Sequence, residues 1–221
     1  MSVPSVNNRQ QLREKICFTA LRLFHKRGIR QVKMDDISTA LSISKRTLYE
    51  LYTNKMELLG EVLELQYNMS HERLKRELKK EYSTMDVLIL VLKITVEELN
   101  KLSLEFLEDL HRYPEALQKL EELEKRNDDQ TGQFFEKGVR EGYFLPNINF
   151  RLMEDIIRIL KSQTSLHQQY GIKTTWTTFV RVCLRSICTL KGIEELDAFL
   201  DKITTEDNLA SNISIPNTHF K

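Results

Sequence analysis

The chain has 221 residues, 41% hydrophobic and 29% charged, with 7 Gly, 4 Pro and 3 Cys, which excludes collagen-like, low-complexity and disulfide-framework proteins and suits an almost wholly helical globular one. No apolar run is long enough to span a membrane and no signal peptide is recognisable, so a cytoplasmic protein is expected. The net charge of +1 hides a division: residues 1–55 hold 11 Lys or Arg against 4 Asp or Glu and the remainder 22 against 28, a basic head (+7) on an acidic body (−6) that draws polyanions to one end.

Met1–Asn8 is polar and is expected to be unstructured. A first helix is predicted from about Arg9 to Arg27, with Leu12, Ile16, Ala20, Leu23 and Phe24 as its buried stripe and Gly28 as its left-handed stop. Met34, Ile37 and Leu41 recur at helical spacing and define a short second helix. Ser42–Ile43–Ser44 interrupts it, and Ser42 or Ser44 suits the cap of the next helix, which begins Lys45–Arg46–Thr47 and returns to apolar residues at Leu48, Leu51 and Tyr52. Two short helices around a tight turn, the second led by hydrogen-bond donors, have the form of a helix-turn-helix.

Lys45 and Arg46 lie in a first helical turn, where the macrodipole disfavours cations. A nucleic acid would stabilise them there, because the N-terminal residues of a recognition helix reach base edges in the major groove. Arg46 suits two hydrogen bonds to guanine, Lys45 guanine or a phosphate, and Thr47 a donor, an acceptor or a thymine methyl. The alternative for the same residues is a solvated basic turn. Asn54 opens a long fourth helix with Glu57 three residues on, so Lys55 also lies against a dipole, with a DNA phosphate as its natural partner.

Ala20-Leu-Arg-Leu-Phe24-His-Lys-Arg-Gly28, Asp36–Ile37 with Ala40, Ser44-Lys-Arg-Thr-Leu-Tyr49 and Lys55-Met-Glu-Leu-Leu59 follow one another between Lys15 and Glu64. This stretch, about a quarter of the chain, resembles the N-terminal domain of the TetR family of bacterial transcriptional regulators. The chain departs from the pattern at Ser42, where the family has a turn glycine, and at Lys33, where a Thr or Ser often opens the second helix. The resemblance implies DNA contacts from Lys33, Ser44, Lys45, Arg46, Thr47, Tyr49 and Lys55, with Tyr52 turned inward.

The body reads as further helices. The fourth reaches about Lys80, its charged second half Arg73–Glu81 a solvated face. Ser83 or Thr84 caps one running to about Lys101, with Val87, Leu88, Val91, Leu92, Thr95 and Leu99 inward. A short one carries Leu104, Phe106, Leu107 and Leu110. One from Pro114 carries Leu117, Leu120 and Leu123, a polar middle at Arg126–Gln130, then Phe134, Phe135 and Val139, and Gly142 ends it. Asn149 caps a helix to about Tyr170, Thr174–Lys191 forms the last long one, Ile193–Ile203 a short one behind it, and the tail from Thr205 is expected to be frayed. The resemblance extends more weakly to the last two long helices, which in that family usually build the dimer interface.

The five histidines form no i, i+4 metal pair, no His–Cys cluster exists, and Walker, G-x-S-x-G and G-x-G-x-x-G motifs are absent, so no metal, cofactor or enzymatic activity is expected. Cys17, Cys183 and Cys188 read as reduced, small apolar residues. The expected architecture is all-α, with a three-helix helix-turn-helix DNA-binding domain (1–55), a helical regulatory, ligand-binding and dimerisation domain (56–204) and a flexible tail (205–221). By the resemblance, a homodimer binds a palindromic operator on double-stranded DNA and is released by a small apolar or amphipathic effector. Met69, Leu92, Phe106, Leu110, Phe134, Phe135, Gln163, His167 and Trp176 are the candidate lining, each also readable as plain core or dimer interface. The alternatives are a DNA-binding protein of this fold acting through a protein partner or as a chromosome organiser, and a helical enzyme or scaffold with a vestigial head.

Overall fold

The computed structural model describes residues 6–78, 81–125, 128–161 and 164–212. They form α1 (Val6–Arg27), α2 (Met34–Ala40), α3 (Lys45–Leu51), α4 (Lys55–Glu77), α5 (Thr84–Leu99), α6 (Leu104–Leu110), α7 (Pro114–Lys125), α8 (Asp128–Arg140), α9 (Phe150–Lys161), α10 (Thr164–Tyr170), α11 (Ile172–Ile187) and α12 (Leu190–Asn212). No strand occurs among the described residues; a single bridge joins Phe144 to Cys188.

The local rules that start these helices are visible in their caps. Ser44 Oγ accepts from the Thr47 N–H at 3.0 Å and Asn54 Oδ1 from the Glu57 N–H at 2.9 Å, each satisfying an otherwise orphaned donor. The Glu57 carboxylate closes back on the N–H of Thr53, one residue before the cap. Ser83 caps α5 and Asn149 caps α9 in the same way. Gly28 stops α1 at φ +78°, and a Cβ there would sit 2.9 Å from both Asp109 Oδ2 and Glu105 Cβ, so α6 packs where only glycine leaves room.

Ser42 takes the turn position without that freedom. Its φ of 54° is left-handed, the sole such value at a non-glycine among the described residues. The left-handed region costs an L-residue roughly 1–2 kcal/mol, part of which glycine would return in backbone entropy. Ser42→Gly is therefore expected to raise the unfolding free energy by up to about 1 kcal/mol in urea titrations; a loss of stability would show the turn to be unstrained.

Two apolar clusters result. In one, Ile16, Ala20 and Phe24 of α1, Ile37 of α2 and Leu48 of α3 pack with Leu58, Leu59, Val62 and Leu63 of α4, and Phe106 and Ala116 join from α6 and α7. The first turns of α4 thus belong to the core of the head. The other unites Met85, Leu88 and Leu92 of α5 with Phe135, Phe144, Trp176, Val180, Leu184, Leu196 and Leu200. Tyr52 is fully buried; its hydroxyl donates to Glu61 Oε2 at 2.7 Å and lies 3.1 Å from Cys17 Sγ. Arg13 pairs with the same Glu61, donates to the Leu51 carbonyl at 3.2 Å and covers the Tyr52 ring. Burial by itself would raise the Glu61 carboxyl, but hydrogen bonds from Arg13 and Tyr52 outweigh it and hold the group below the usual range. Cys17 and Cys188 are pushed up to about 11, chiefly by burial, which suits inert thiols.

Several boundaries differ from the sequence reading. Helix α1 already includes Val6–Asn8, and α12 runs to Asn212, past the point at Thr205 where a frayed tail was expected; no Gly or Pro intervenes before Pro216 to stop it. The helix expected from Pro114 to Gly142 is described as α7 and α8, with 126 and 127 outside the described residues, and that expected from Asn149 to Tyr170 as α9 and α10, with 162 and 163 outside. Cys188 caps α11 rather than lying within it. Arg73 is not simply a solvated charge: it joins Glu77 and, across to α5, Glu97, each at 2.6 Å. Val91, read as inward, is exposed.

His25 is 6% exposed and sits where head meets body. Burial lowers its pKa from 6.5, and burial likewise lowers that of His71. As pH falls through 6.5 the unfolded chain takes up protons that these rings refuse, so stability is lost from there downwards. Unfolding titrations between about pH 7 and pH 5 are expected to show this slope, and His25→Gln to reduce it; an unchanged slope would place its source elsewhere.

Candidate DNA-binding surface and body cavity

On the head, α3 presents its first turn outward. Lys45 and Arg46 are exposed, Thr47 is half-buried with its hydroxyl 2.8 Å from that of Ser44, and Tyr49 is 50% exposed. Lys33 is exposed just before α2, its N–H donating to Asp36 Oδ2 at 2.8 Å. Five of the six candidates lie on α3 or at its cap, and Lys33 stands at the cap of α2. The charges are not bare, as the dipole argument had assumed. Lys45 pairs with Asp35, and Arg46 with Glu50 at 2.8 Å; both cations are stabilised in their charged form by these hydrogen bonds. DNA would have to displace carboxylates, not fill a void.

Lys55 is placed differently from the other candidates. It is half-buried, and its Nζ donates to the carbonyls of Ile29 at 2.9 Å, Val32 at 3.0 Å and Arg30 at 3.5 Å. Burial lowers its pKa, against attraction from Asp109 and Asp36. From the other side Asp109 of α6, itself buried, accepts from the Arg30 N–H at 2.7 Å. The loop between α1 and α2 is thus gripped by α4 and by α6. The sequence reading aimed this ammonium at a phosphate; it is committed to the loop because three carbonyls left there by the turn after Gly28 need donors. Lys55→Met is expected to cost about 1–3 kcal/mol of stability through those orphaned acceptors; a variant as stable as the parent would show the grip to be dispensable.

Beneath the head lies a cavity of about 1120 Å³ walled by α4, α5, α6, α7, α9, α10 and α11. Four of the nine lining candidates, Phe106, Leu110, His167 and Trp176, border it. Gln163 lies outside the described residues. The other four do not line it. Met69 is 45% exposed on another face of α4, and Leu92 is packed in the body core. Phe134 and Phe135 form an aromatic cluster with Phe144 and Phe150, the Phe135 and Phe150 rings stacked 4.3 Å apart. Large apolar residues satisfied one another there, so size and hydrophobicity were poor guides to the cavity. The wall that was missed is α4 itself: Leu63, Gln66, Tyr67, Ser70, His71 and Leu74. Their spacing of three and four was present in the sequence, but the face mixes polar with apolar residues.

The walls of the cavity also hold the head. Gln66 Oε1 accepts from His25 Nε2–H at 3.3 Å, Phe106 meets the His25 ring edge-on at 4.9 Å, and the Ser103 N–H donates to the His25 carbonyl at 2.9 Å.

The family model described as "Bacterial regulatory proteins, tetR family" matches residues 16–62, the segment that forms α1–α3 and the head end of α4. The N-terminal segment of the chain thus matches the DNA-binding domain model of the TetR family. Solved structures of transcriptional regulators superpose on most of the chain's length. A TetR-family regulator from Marinobacter aquaeolei VT8 superposes with a TM-score of 0.65 at 19% identity, over 86% of this chain and 97% of that one. A putative regulator from Saccharomonospora viridis in complex with choline gives 0.62 at 18%, over 81% and 99%. The regulator FadR from Bacillus subtilis in complex with stearoyl-CoA gives 0.60 at 17%, over 78% and 95%. At these identities the likeness is one of fold. A comparison with curated proteins finds no match. No helix among the described residues is long and apolar enough to cross a membrane, and no cluster of His, Cys, Asp and Glu there suits a metal ion.

Proposed function

We propose that this TetR-family chain is a homodimeric repressor, released from a two-fold symmetric operator when a small apolar or amphipathic molecule fills the body cavity. The observation that carries this reading is the double use of α4 and α6, whose residues line the cavity and clamp the head. Head (1–55) and body (56–204) are in this reading the DNA-binding and regulatory parts. The complexes of two relatives of this fold with choline and with stearoyl-CoA support a ligand in the body. Lys33, Ser44, Lys45, Arg46, Thr47 and Tyr49 are the proposed DNA contacts, and Lys55 serves them by fixing the loop before α2. Selection of bound sequences from a random DNA pool tests it: a symmetric site with half-sites about one turn, roughly 34–36 Å, or a multiple apart is expected, and recovery of sequences without symmetry would refute it.

A second copy is the natural cover for α9 and α11. Leu152 and Ile156 of α9 are 55% and 39% exposed; Ile159 of α9 and Val182 of α11 are exposed too but also border the cavity. Sedimentation is expected to show a dimer, and Leu152→Asp with Ile156→Asp to yield folded monomers with weak operator binding. A dimer unaffected by both substitutions would move the interface off this face.

A further inference from the structure

The cavity is not neutral in its choice of ligand. Its lining among the described residues contains two carboxylates, Glu98 and Glu121, three histidines, His71, His111 and His167, and no Lys or Arg. One polar stretch of it lies toward the head, where Gln66 of α4 accepts from His25 and Glu98 of α5 acts electrostatically on the same ring. Lys101 reaches Glu98 at 2.7 Å, yet it is not part of the lining and more than half of its side chain is in solvent. Thr95 on the same wall spends its hydroxyl hydrogen on the Val91 carbonyl at 2.8 Å, so its oxygen faces the cavity as an acceptor. Burial disfavours the charged form of His25 and of His71 on the α4 wall, so neither is a ready counter-charge. Around this end the walls are Leu63, Leu102, Phe106 and other apolar side chains. An anionic head group brought to Gln66 and Glu98 would lose its water and meet carboxylate and carbonyl-type oxygens, which opposes its burial.

We infer that the cavity selects an amphipathic molecule whose polar end is a hydrogen-bond donor without negative charge, an alcohol, amide or ammonium, seated at Gln66 and Glu98 with its apolar chain along α6, α10 and α11. This rests on the cavity being the effector site, and it narrows that reading from any apolar molecule to one electrostatic class. Fatty-acid carboxylates and phosphorylated carriers are thereby the wrong ligands for it.

The test is a matched chain series, decylammonium, decan-1-ol and decanoate, titrated calorimetrically into the full chain below micelle formation. The ammonium and the alcohol are expected to bind at least about tenfold more tightly than decanoate. Glu98→Gln is expected to bring the ammonium down to the level of the alcohol measured on the same variant. Decanoate binding as tightly as the other two, or an ammonium preference that survives Glu98→Gln, would overturn the inference. Binding of none of the three would remove the cavity as an effector site for such chains, the reading beneath it.

Discussion

Replacing Arg46 with alanine is expected to weaken binding to the preferred operator roughly 5- to 150-fold and to relax base preference at one or two positions of each half-site. Arg46 lies in the first turn of α3 with its side chain exposed, where a recognition helix reaches base edges in the proposed reading. In the unbound protein its Nε is held by Glu50 at 2.8 Å. An exposed i, i+4 pair is a weak restraint, so the guanidinium exchanges that carboxylate for a guanine edge at small cost. Two companion substitutions separate the terms. Lys33→Ala, if Lys33 contacts a phosphate, should weaken all DNA alike and flatten the dependence of affinity on salt, without altering base preference. Glu50→Gln should tighten all DNA, since it removes both the competitor and a negative charge from the face. Equal loss of selectivity in Arg46→Ala and Lys33→Ala, measured on a mismatch panel, would refute the division into reader and anchor.

Filling the cavity is expected to weaken operator binding about 5- to 150-fold, and operator DNA to weaken the ligand by the same factor. A ligand shifts the populations of two arrangements only by its differential affinity for them, so the wall must differ between the arrangements. The clamp on the head supplies that difference. Helix α4 passes from the cavity to the head core, as the sequence suggested. Helix α6 provides a second route, through Ser103 and Phe106 to His25 and through Asp109 to the Arg30 amide. A ligand donor that engages Gln66 Oε1 shares that acceptor with His25 and so bears on the clamp. Gln66→Leu should therefore reduce the coupling factor toward one while the protein still binds DNA. Identical ligand affinity with and without operator in the parent protein would show the two sites to be independent, and the induced-repressor mechanism would fall even with both binding activities intact.

Much of the head was legible before any coordinates. Caps at Ser44 and Asn54, the stop at Gly28 and the apolar spacing of Ile16, Ala20, Phe24, Ile37 and Leu48 are local consequences of side-chain chemistry, and each is found in place. The fate of the charges was not legible. Lys45, Arg46 and Lys55 were assigned from the dipole of their own helices, whereas Asp35, Glu50 and the carbonyls of residues 29–32 decide their partners.

By itself the sequence determined that the chain is all-helical, that its basic end is a TetR-type helix-turn-helix, and which side chains stand in the first turn of α3. These depend on periodicity and caps, interactions that span at most a few residues. Tertiary structure alone decided what the body does with its apolar residues. Phe134, Phe135 and Leu92 are as hydrophobic as Phe106 and Leu110, yet the first three fill a core and the last two border a cavity. That outcome depends on how seven helices fail to close over one another, and no single helix carries the information. The same holds for Asp109 and Gln66, ordinary polar residues until α6 and α4 bring them against Arg30 and His25.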